Sequence, residues 1–239
     1  MYKEQNVFAS SKITNEKQKV LAYLRGEEIF PITMEVDLTQ KCTRACPGCP
    51  YQVSRRAGHT LEIPFLDRLF SILGNNTSGL ILSGGEATCV NHFPETVSLA
   101  KQKGFKEIAV ISNGGMTHVP GIQDALLENV TSIRFSLYDW QDREEKYFTD
   151  TLEKIRNLRN RIEKEGSNLE IGASILTRKE VTPKIHSVGM KAFDAGIHWL
   201  YFHPYCIDWE TKFPKQADQT GVLEAIEEMK RVVPAGLNI

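Results

Sequence analysis

The sequence has no long hydrophobic run, and its charges almost cancel. No stretch approaches the roughly 18 uninterrupted apolar residues of a membrane-spanning helix, and residues 1–10 lack the basic start and apolar centre of a secretion signal. With 29 Lys and Arg against 30 Asp and Glu, the formal net charge is -1. No basic surface for nucleic acid or an anionic membrane is therefore indicated. We expect a cytoplasmic protein that binds neither.

Cysteine is also scarce, and its distribution excludes a secreted disulfide scaffold. The 239 residues contain five cysteines, an odd number, and three of them lie within eight positions. Disulfide frameworks usually show an even number of spaced cysteines. Hydrophobic residues make up 41% and charged residues 25% of the chain, which is typical of a globular domain. The sequence thus predicts one reduced globular domain whose clustered thiols are free to bind a metal.

The clustered cysteines are Cys42, Cys46 and Cys49, with the spacing C-x3-C-x2-C, and they follow a strand-like run at 32–40. A loop at the end of a strand can direct three thiols to one point, where they form a soft ligand set. Three thiolates hold three corners of a [4Fe-4S] cube, whereas electron-carrier clusters normally use four. A zinc site is the alternative, but it normally needs a fourth ligand, and the nearby candidate His59 has an unsuitable spacing.

This loop resembles the cysteine signature of the radical S-adenosylmethionine (SAM) superfamily. In that family SAM chelates the open iron, and one electron from the cluster cleaves it to methionine and a 5'-deoxyadenosyl radical. The resemblance implies a [4Fe-4S] cluster on the three cysteines, SAM as a second cofactor, a flavodoxin- or ferredoxin-type electron donor and sensitivity to oxygen. One position departs from the family, because Gly48 stands where an aromatic residue usually packs on adenine. Gly48 would contact adenine through its backbone only.

Strand and helix signals alternate along the chain. Strands are predicted at 34–38, 79–82, 107–112, 132–138, 169–177 and 198–204, and helices at 15–25, 63–73, 94–103, 121–128, 141–165, 184–195 and 222–233. Such alternation gives parallel strands joined by right-handed crossovers. The fold class is therefore α/β, and the six units resemble the partial (βα)6 barrel of the radical SAM core.

The predicted barrel divides the chain into three parts. We expect an N-terminal helical extension at 1–30, the core at 31–206 and a C-terminal extension at 207–239. The absence of cysteine after Cys206 leaves two alternatives, which are an enzyme with a single cluster or a fragment of a longer protein.

The Ser83-Gly84-Gly85-Glu86 segment follows the second predicted strand, where ligands bind in sheets of this kind. Glycines let the backbone approach a ligand closely, and a carboxylate can pair with an ammonium group. In the family, a Gly-Gly-Glu motif binds the methionine amino group of SAM, which implies this role for Gly84, Gly85 and Glu86. A plain turn is the alternative.

Further SAM contacts are implied after later strands. Asn113 lies in a Ser-Asn-Gly-Gly segment like the family's Thr-Asn-Gly, and Ser136 begins a Ser-Leu-Tyr-Asp segment like the Ser-Leu-Asp whose serine contacts SAM. Tyr205 falls near the position that lies against adenine. The alternatives are ordinary turn chemistry for Asn113 and a bond to neighbouring backbone for Ser136.

Two cysteines remain outside the cluster motif. Cys89 and Cys206 are predicted at strand ends that line the mouth of the barrel. The plain interpretation is that both are small buried apolar side chains. The alternative is a catalytic Cys206 that gives a hydrogen atom to the substrate radical or fixes the substrate.

The leading hypothesis is a radical SAM enzyme that removes a hydrogen atom from an unidentified small-molecule or peptide substrate. A glycyl-radical activase is one alternative, although such relatives usually have Asp-Leu-Lys where this chain has Ser136-Leu137-Tyr138. A non-catalytic iron-sulfur or zinc-binding module is the other.

Overall fold

The computed structural model describes residues 8, 10–46, 49, 58–138, 145–208 and 215–233. Six parallel strands form one sheet in which neighbours in sequence are neighbours in space, in the order β1-β2-β3-β4-β5-β6. They are β1 (Thr33–Thr39), β2 (Gly79–Gly84), β3 (Glu107–Ser112), β4 (Ser132–Ser136), β5 (Glu170–Thr177) and β6 (Trp199–Pro204). The predicted α/β fold with a partial (βα)6 barrel is confirmed.

Helices cover one face of this sheet and flank it. They are α1 (Lys17–Leu24), α2 (Ile63–Leu73), α3 (Phe93–Gln102), α4 (Pro120–Asn129), α5 (Glu145–Glu165), α6 (Ile185–Asp194) and α7 (Val222–Val232). Three of them begin with proline in the first turn, where its missing N–H costs nothing. Among the helices so described, none is both long and apolar enough to cross a bilayer.

The predicted boundaries lie within two residues of the observed ones wherever both fall among the described residues. The fourth strand was predicted to reach residue 138 but ends at Ser136. The predicted start of α5 at 141 lies outside the described residues. The predicted end of the sixth strand at 204 is confirmed, because β6 stops at Pro204. Cys206, which was placed at this strand end, instead opens a separate antiparallel hairpin of β7 (Cys206–Asp208) and β8 (Lys215–Gln216).

The hydrophobic core lies between the outer face of the sheet and the helices. Alternate strand residues such as Leu38, Leu82 and Phe135 are fully buried there against Phe70 and Phe93 from the helices. Each such side chain contributes about 1.5–3 kcal/mol when it leaves water. The period-two alternation of the strands therefore decides which face the helices cover.

The inner face of the sheet is smaller and more polar. A second apolar group forms here from Ile81 and Ala109, with Phe8 and Ile111 packed against it. The remaining inner positions include Asp37, Ser83, Arg134, Ser174, Tyr201 and His203. Because Asp37, Tyr201 and His203 are exposed, the inner face borders an open lumen.

Both chain extensions pack on this sheet unit. Lys12 lies 2.9 Å from the Glu107 carboxylate, which ties the N-terminal segment to β3. At the other end, α7 packs so closely on α6 that a Cβ on Gly189 would lie 2.0 Å from the Met229 sulfur. Glycine at this position thus permits the helix contact.

Candidate functional site

Three loops meet at the carboxyl edge of β1, β2 and β3. The loop after β2 joins the loop after β1 through two backbone hydrogen bonds, from Gly85 N to Thr39 O at 2.7 Å and from Glu86 N to Lys41 O at 2.8 Å. A Cβ on Gly84 would lie 2.4 Å from Thr39 O, and one on Gly85 would lie 2.1 Å from Lys41 O. The two glycines therefore allow the Gly-Gly-Glu loop to pack directly on the backbone that leads into the cysteines.

Glu86 is the buried centre of this edge, with 1% of its surface exposed. Its carboxylate accepts hydrogen bonds from Ser112 Oγ at 2.8 Å, from the Asn113 backbone N–H at 2.7 Å, and from both the N–H and the hydroxyl of Thr88. Burial raises the pKa of Glu86, although these four donors act in the opposite direction. The carboxylate thus connects the loops after β2 and β3, and its predicted bond to SAM stays a prediction.

Asn113 connects the loop after β3 to the cysteine loop. Its Nδ2 lies 3.5 Å from Cys42 Sγ and 3.1 Å from Thr43 Oγ1, while its Oδ1 accepts a hydrogen bond of 2.7 Å from Gly115 N. The side chain is buried, and this network uses both ends of the amide. Asn113 therefore faces a predicted cluster ligand, and its predicted contact with SAM stays a prediction.

The three cysteines of the motif are partly buried thiols on the loop after β1, and they form no disulfide. Besides Asn113, the backbone N–H of Arg44 approaches Cys42 Sγ at 3.4 Å, and Cys49 N bonds to Cys46 O at 3.4 Å. In the described part of the chain, no three His, Cys, Asp or Glu side chains lie close enough to hold one metal ion. Ligation of a cluster by Cys42, Cys46 and Cys49 stays a prediction, and Gly48 lies outside the described residues.

The soft chemistry of this donor set fits an iron-sulfur cluster. Three thiols share one short loop, and N–H groups from the backbone and from Asn113 point at one of the sulfurs. Hydrogen bonds to ligand sulfurs are among the features that set cluster potentials. The residues present therefore match the cofactor that the sequence motif implies.

Cys89 and Cys206 occupy different surroundings. The Cys89 thiol approaches Lys41 O at 3.8 Å, beside the cysteine loop. Its pKa is raised by burial, and also by the neighbouring Glu86 and Cys42. Cys206 is 8% exposed in the hairpin, with its thiol 3.6 Å from Lys215 O, and its catalytic role stays a prediction.

Ser136 and Tyr205 lie at the carboxyl ends of β4 and β6. Ser136 is partly buried, and its hydroxyl bonds to none of the residues that the structure describes, so the backbone bond considered above is not seen. The guanidinium of Arg178 lies 5.2 Å from the centre of the Tyr205 ring. Both side chains stand at the edge where SAM is expected, and their SAM contacts stay predictions.

Several residues of this edge were not found from the sequence. Thr88 and Ser112 hold the Glu86 carboxylate, and Thr43 holds the Asn113 amide. Arg44 reaches across to Thr151 Oγ1 at 2.8 Å and lies 5.3 Å from the Tyr147 ring centre. For Thr43, Thr88 and Ser112, the sequence indicates only that small hydroxyl residues flank each motif, which is also common in turns. For Arg44 the sequence carries no comparable indication.

A separate cleft of about 500 Å³ lies at the amino ends of β3, β4 and β5. Its walls mix lysines and glutamates, and it contains none of the predicted site residues. This concave surface and the three loops therefore lie at opposite edges of the sheet.

The sequence matches the model of one protein family. The family model described as the radical SAM superfamily matches residues 36–181, more than half of the chain. A comparison with curated protein sequences finds no significant match.

Several solved structures share the fold. SuiB from Streptococcus suis, bound to S-adenosylmethionine, aligns with a TM-score of 0.70 and 14% identity over 95% of this chain and 54% of its own. The protein anSMEcpe, with bound AdoMet and the Cp18Cys peptide, aligns with a TM-score of 0.60 and 12% identity. This alignment covers 85% of this chain and 59% of anSMEcpe. Methylornithine synthase (PylB) aligns with a TM-score of 0.54 and 13% identity, and the alignment covers 91% of this chain and 67% of PylB. The chain thus spans about half the length of SuiB.

Proposed function

Because the chain belongs to the radical SAM superfamily, we propose that it cleaves SAM reductively at a [4Fe-4S] cluster and removes a hydrogen atom from an organic substrate. Membership makes the chain an enzyme that uses SAM and an iron-sulfur cluster, so the non-catalytic alternative is set aside. The observation that carries the proposal is the direct contact of three motif-bearing loops at one sheet edge.

In this proposal Cys42, Cys46 and Cys49 hold the cluster, and the fourth iron is left for SAM. When bound, the two cofactors supply the 5'-deoxyadenosyl radical, and the protein supplies binding, orientation and exclusion of solvent. The Asn113 amide orients Cys42 through its bond to the sulfur. A flavodoxin- or ferredoxin-type protein delivers the electron.

SAM binding is assigned to the same edge. The residues proposed to contact the cofactor are Gly48, Gly84, Gly85, Glu86, Asn113, Ser136 and Tyr205. The strongest support is the Ser136 hydroxyl, which bonds to none of the described residues. Glu86 also fixes the shape of its loop. Three of its four donors bond to Oε1 and only the Asn113 backbone N–H bonds to Oε2, so Oε2 keeps an acceptor site for the SAM ammonium.

The substrate we propose is a peptide. Two of the similar structures contain one, since SuiB is seen with the precursor peptide SuiA and anSMEcpe with the Cp18Cys peptide. A peptide also suits the open lumen beside the exposed Tyr201 and His203. The core of the enzyme is assigned to 31–206, with the flanking segments as extensions.

The test is anaerobic reconstitution followed by reaction. The wild-type chain should bind about four irons, the content of this cluster type, and reduced enzyme should convert SAM to 5'-deoxyadenosine. Replacing Cys42, Cys46 and Cys49 together by Ala should abolish both, whereas Cys89→Ala and Cys206→Ala should keep the iron. Iron retained in the triple variant, or tetrahedral zinc in the wild type, would overturn the proposal.

A further inference from the structure

Arg134 lies in the middle of β4, on the inner face of the sheet. Its strand neighbours in register are Ile111 of β3 and Gly172 of β5, and Gly172 in turn pairs with Trp199 of β6. A Cβ on Gly172 would lie 2.1 Å from the Trp199 indole. The glycine therefore lets the indole lie across β5 toward Arg134, and the two side chains share one row of the lumen wall.

Both side chains present N–H donors that have no acceptor among the residues that the structure describes. The Nε atom of Arg134 and the Nε1 atom of Trp199 are buried and unpaired. Among the described residues, no carboxylate lies within 4.0 Å of the Arg134 guanidinium. Arg134 as a whole is only partly buried, so its terminal N–H groups reach the open lumen.

The surroundings of this guanidinium are largely aromatic. The Phe8 ring centre lies 4.5 Å from it and the Tyr201 ring centre 5.9 Å, while Phe8 packs on Trp199 at 5.4 Å. Burial lowers the pKa of Arg134, and the charges of Tyr138, Glu35 and Tyr201 oppose this shift. A desolvated cation without a bonded anion is costly in a folded protein, yet arginine stays charged at physiological pH.

We propose that Arg134 binds a carboxylate of the substrate inside the lumen. The planar guanidinium can form two parallel bonds with a carboxylate, and Trp199 offers a third donor in the same row. Arg134 precedes Ser136 by two residues along β4 and so lies deeper than the edge assigned to SAM. The inference rests on the proposed function and narrows it to a substrate with an acidic side chain or a free C-terminus.

The test uses two probes that differ in charge, N-acetyl-glutamate amide and N-acetyl-glutamine amide, with reconstituted enzyme. The glutamate probe should raise the thermal midpoint of wild type by about 2–4 °C at tenfold excess over its dissociation constant, and the glutamine probe should not. Arg134→Met should lose this shift. Arg161→Met is the matched control, because Arg161 pairs with Asp124 and Glu165 on an outer helix, and it should keep the shift.

Three outcomes would overturn the inference. The first concerns the shift in thermal midpoint: wild type shows no shift with the glutamate probe, or shows the same shift with both probes, or Arg134→Met keeps the shift. Another is a midpoint of Arg134→Met without probe well below that of wild type, which would indicate a structural role for the contacts with Phe8 and Tyr201. The last is a loss of SAM affinity in Arg134→Met, which would assign the carboxylate to SAM. Formation of 5'-deoxyadenosine by wild type and by the Arg161→Met control, measured without probe, tests the proposed function separately, because this inference concerns only the response to the two probes.

Discussion

Glu86 and Arg134 are charged side chains of the same sheet unit, but they differ in their partners. Glu86 is almost fully buried and accepts four hydrogen bonds from two loops. Arg134 is partly buried, and its Nε has no acceptor in the described part of the chain. A buried polar group with every bond satisfied makes a structure more rigid, whereas one without partners leaves binding capacity for a ligand. The carboxyl edge is thus already assembled, and the lumen wall is where we propose that the substrate binds.

Glu86→Gln is expected to have the largest effect, and it tests whether the four hydrogen bonds of Glu86 hold the carboxyl edge together. Whichever way the amide is oriented, its NH₂ group faces the backbone N–H of either Asn113 or Thr88, and one donor loses its acceptor. We expect the free energy of unfolding to fall by about 1–3 kcal/mol, measured by urea denaturation of the apo protein.

The matched control for that variant is Glu153→Gln. Glu153 is exposed on α5, so its replacement should change stability by less than about 0.5 kcal/mol. Equal stability of Glu86→Gln and wild type would show that the four bonds do not hold the edge together.

Asn113→Leu tests the link between this assembled edge and the cluster. The variant removes the amide that points at Cys42 Sγ, and the loss of a donor to a ligand sulfur should lower the reduction potential of the cluster. Stability should fall by about 1 kcal/mol. A redox titration followed by electron paramagnetic resonance measures the potential directly.

Thr43→Val is the control for Asn113→Leu. Thr43 bonds to the Asn113 amide, but its hydroxyl makes no described contact with Cys42. The potential should therefore stay near that of wild type in Thr43→Val. Equal shifts in the two variants would mean that general loosening of the loop, rather than the bond to sulfur, determines the potential.

The pH dependence of stability provides a smaller test of Glu86. Burial raises the pKa of Glu86 above the ordinary value of 4.5. The Glu86 carboxyl of the folded protein therefore keeps its proton at a pH where the same carboxyl of the unfolded chain has lost it. The resulting stabilisation is complete below pH 4.5 and is lost as pH rises through the folded-state pKa. The difference in unfolding free energy between wild type and Glu86→Gln should therefore decrease with rising pH across that window. A difference that grows with pH would contradict the direction of the shift.

Cys206→Ala should have the smallest effect on the fold. Its thiol is buried and only 3.6 Å from Lys215 O, so we expect a stability loss of about 1 kcal/mol for a small apolar group and an unchanged iron content. Once a substrate is known, normal product formation by this variant would leave Cys206 as a packing residue. Loss of product with intact 5'-deoxyadenosine formation would support its predicted catalytic role.

The sequence by itself determined the architecture and the location of the motifs. Period-two and helical patterns placed six strands and the helices between them, because burial of one face dictates the alternation of apolar residues. The hairpin at Cys206 was missed because β7 and β8 contain only three and two residues, too few to show a pattern.

Only the tertiary structure decided what each motif residue contacts. Gly84 and Gly85 were predicted to admit a ligand, and they also let two loops pack together. Glu86, whose predicted bond to SAM stays a prediction, also accepts hydrogen bonds from Ser112 and Asn113. Arg134 gave no signal in the sequence, because an arginine within a strand does not reveal whether an acid lies opposite. Such contacts join residues far apart along the chain, and parallel strand order brings them together only when the whole sheet has formed.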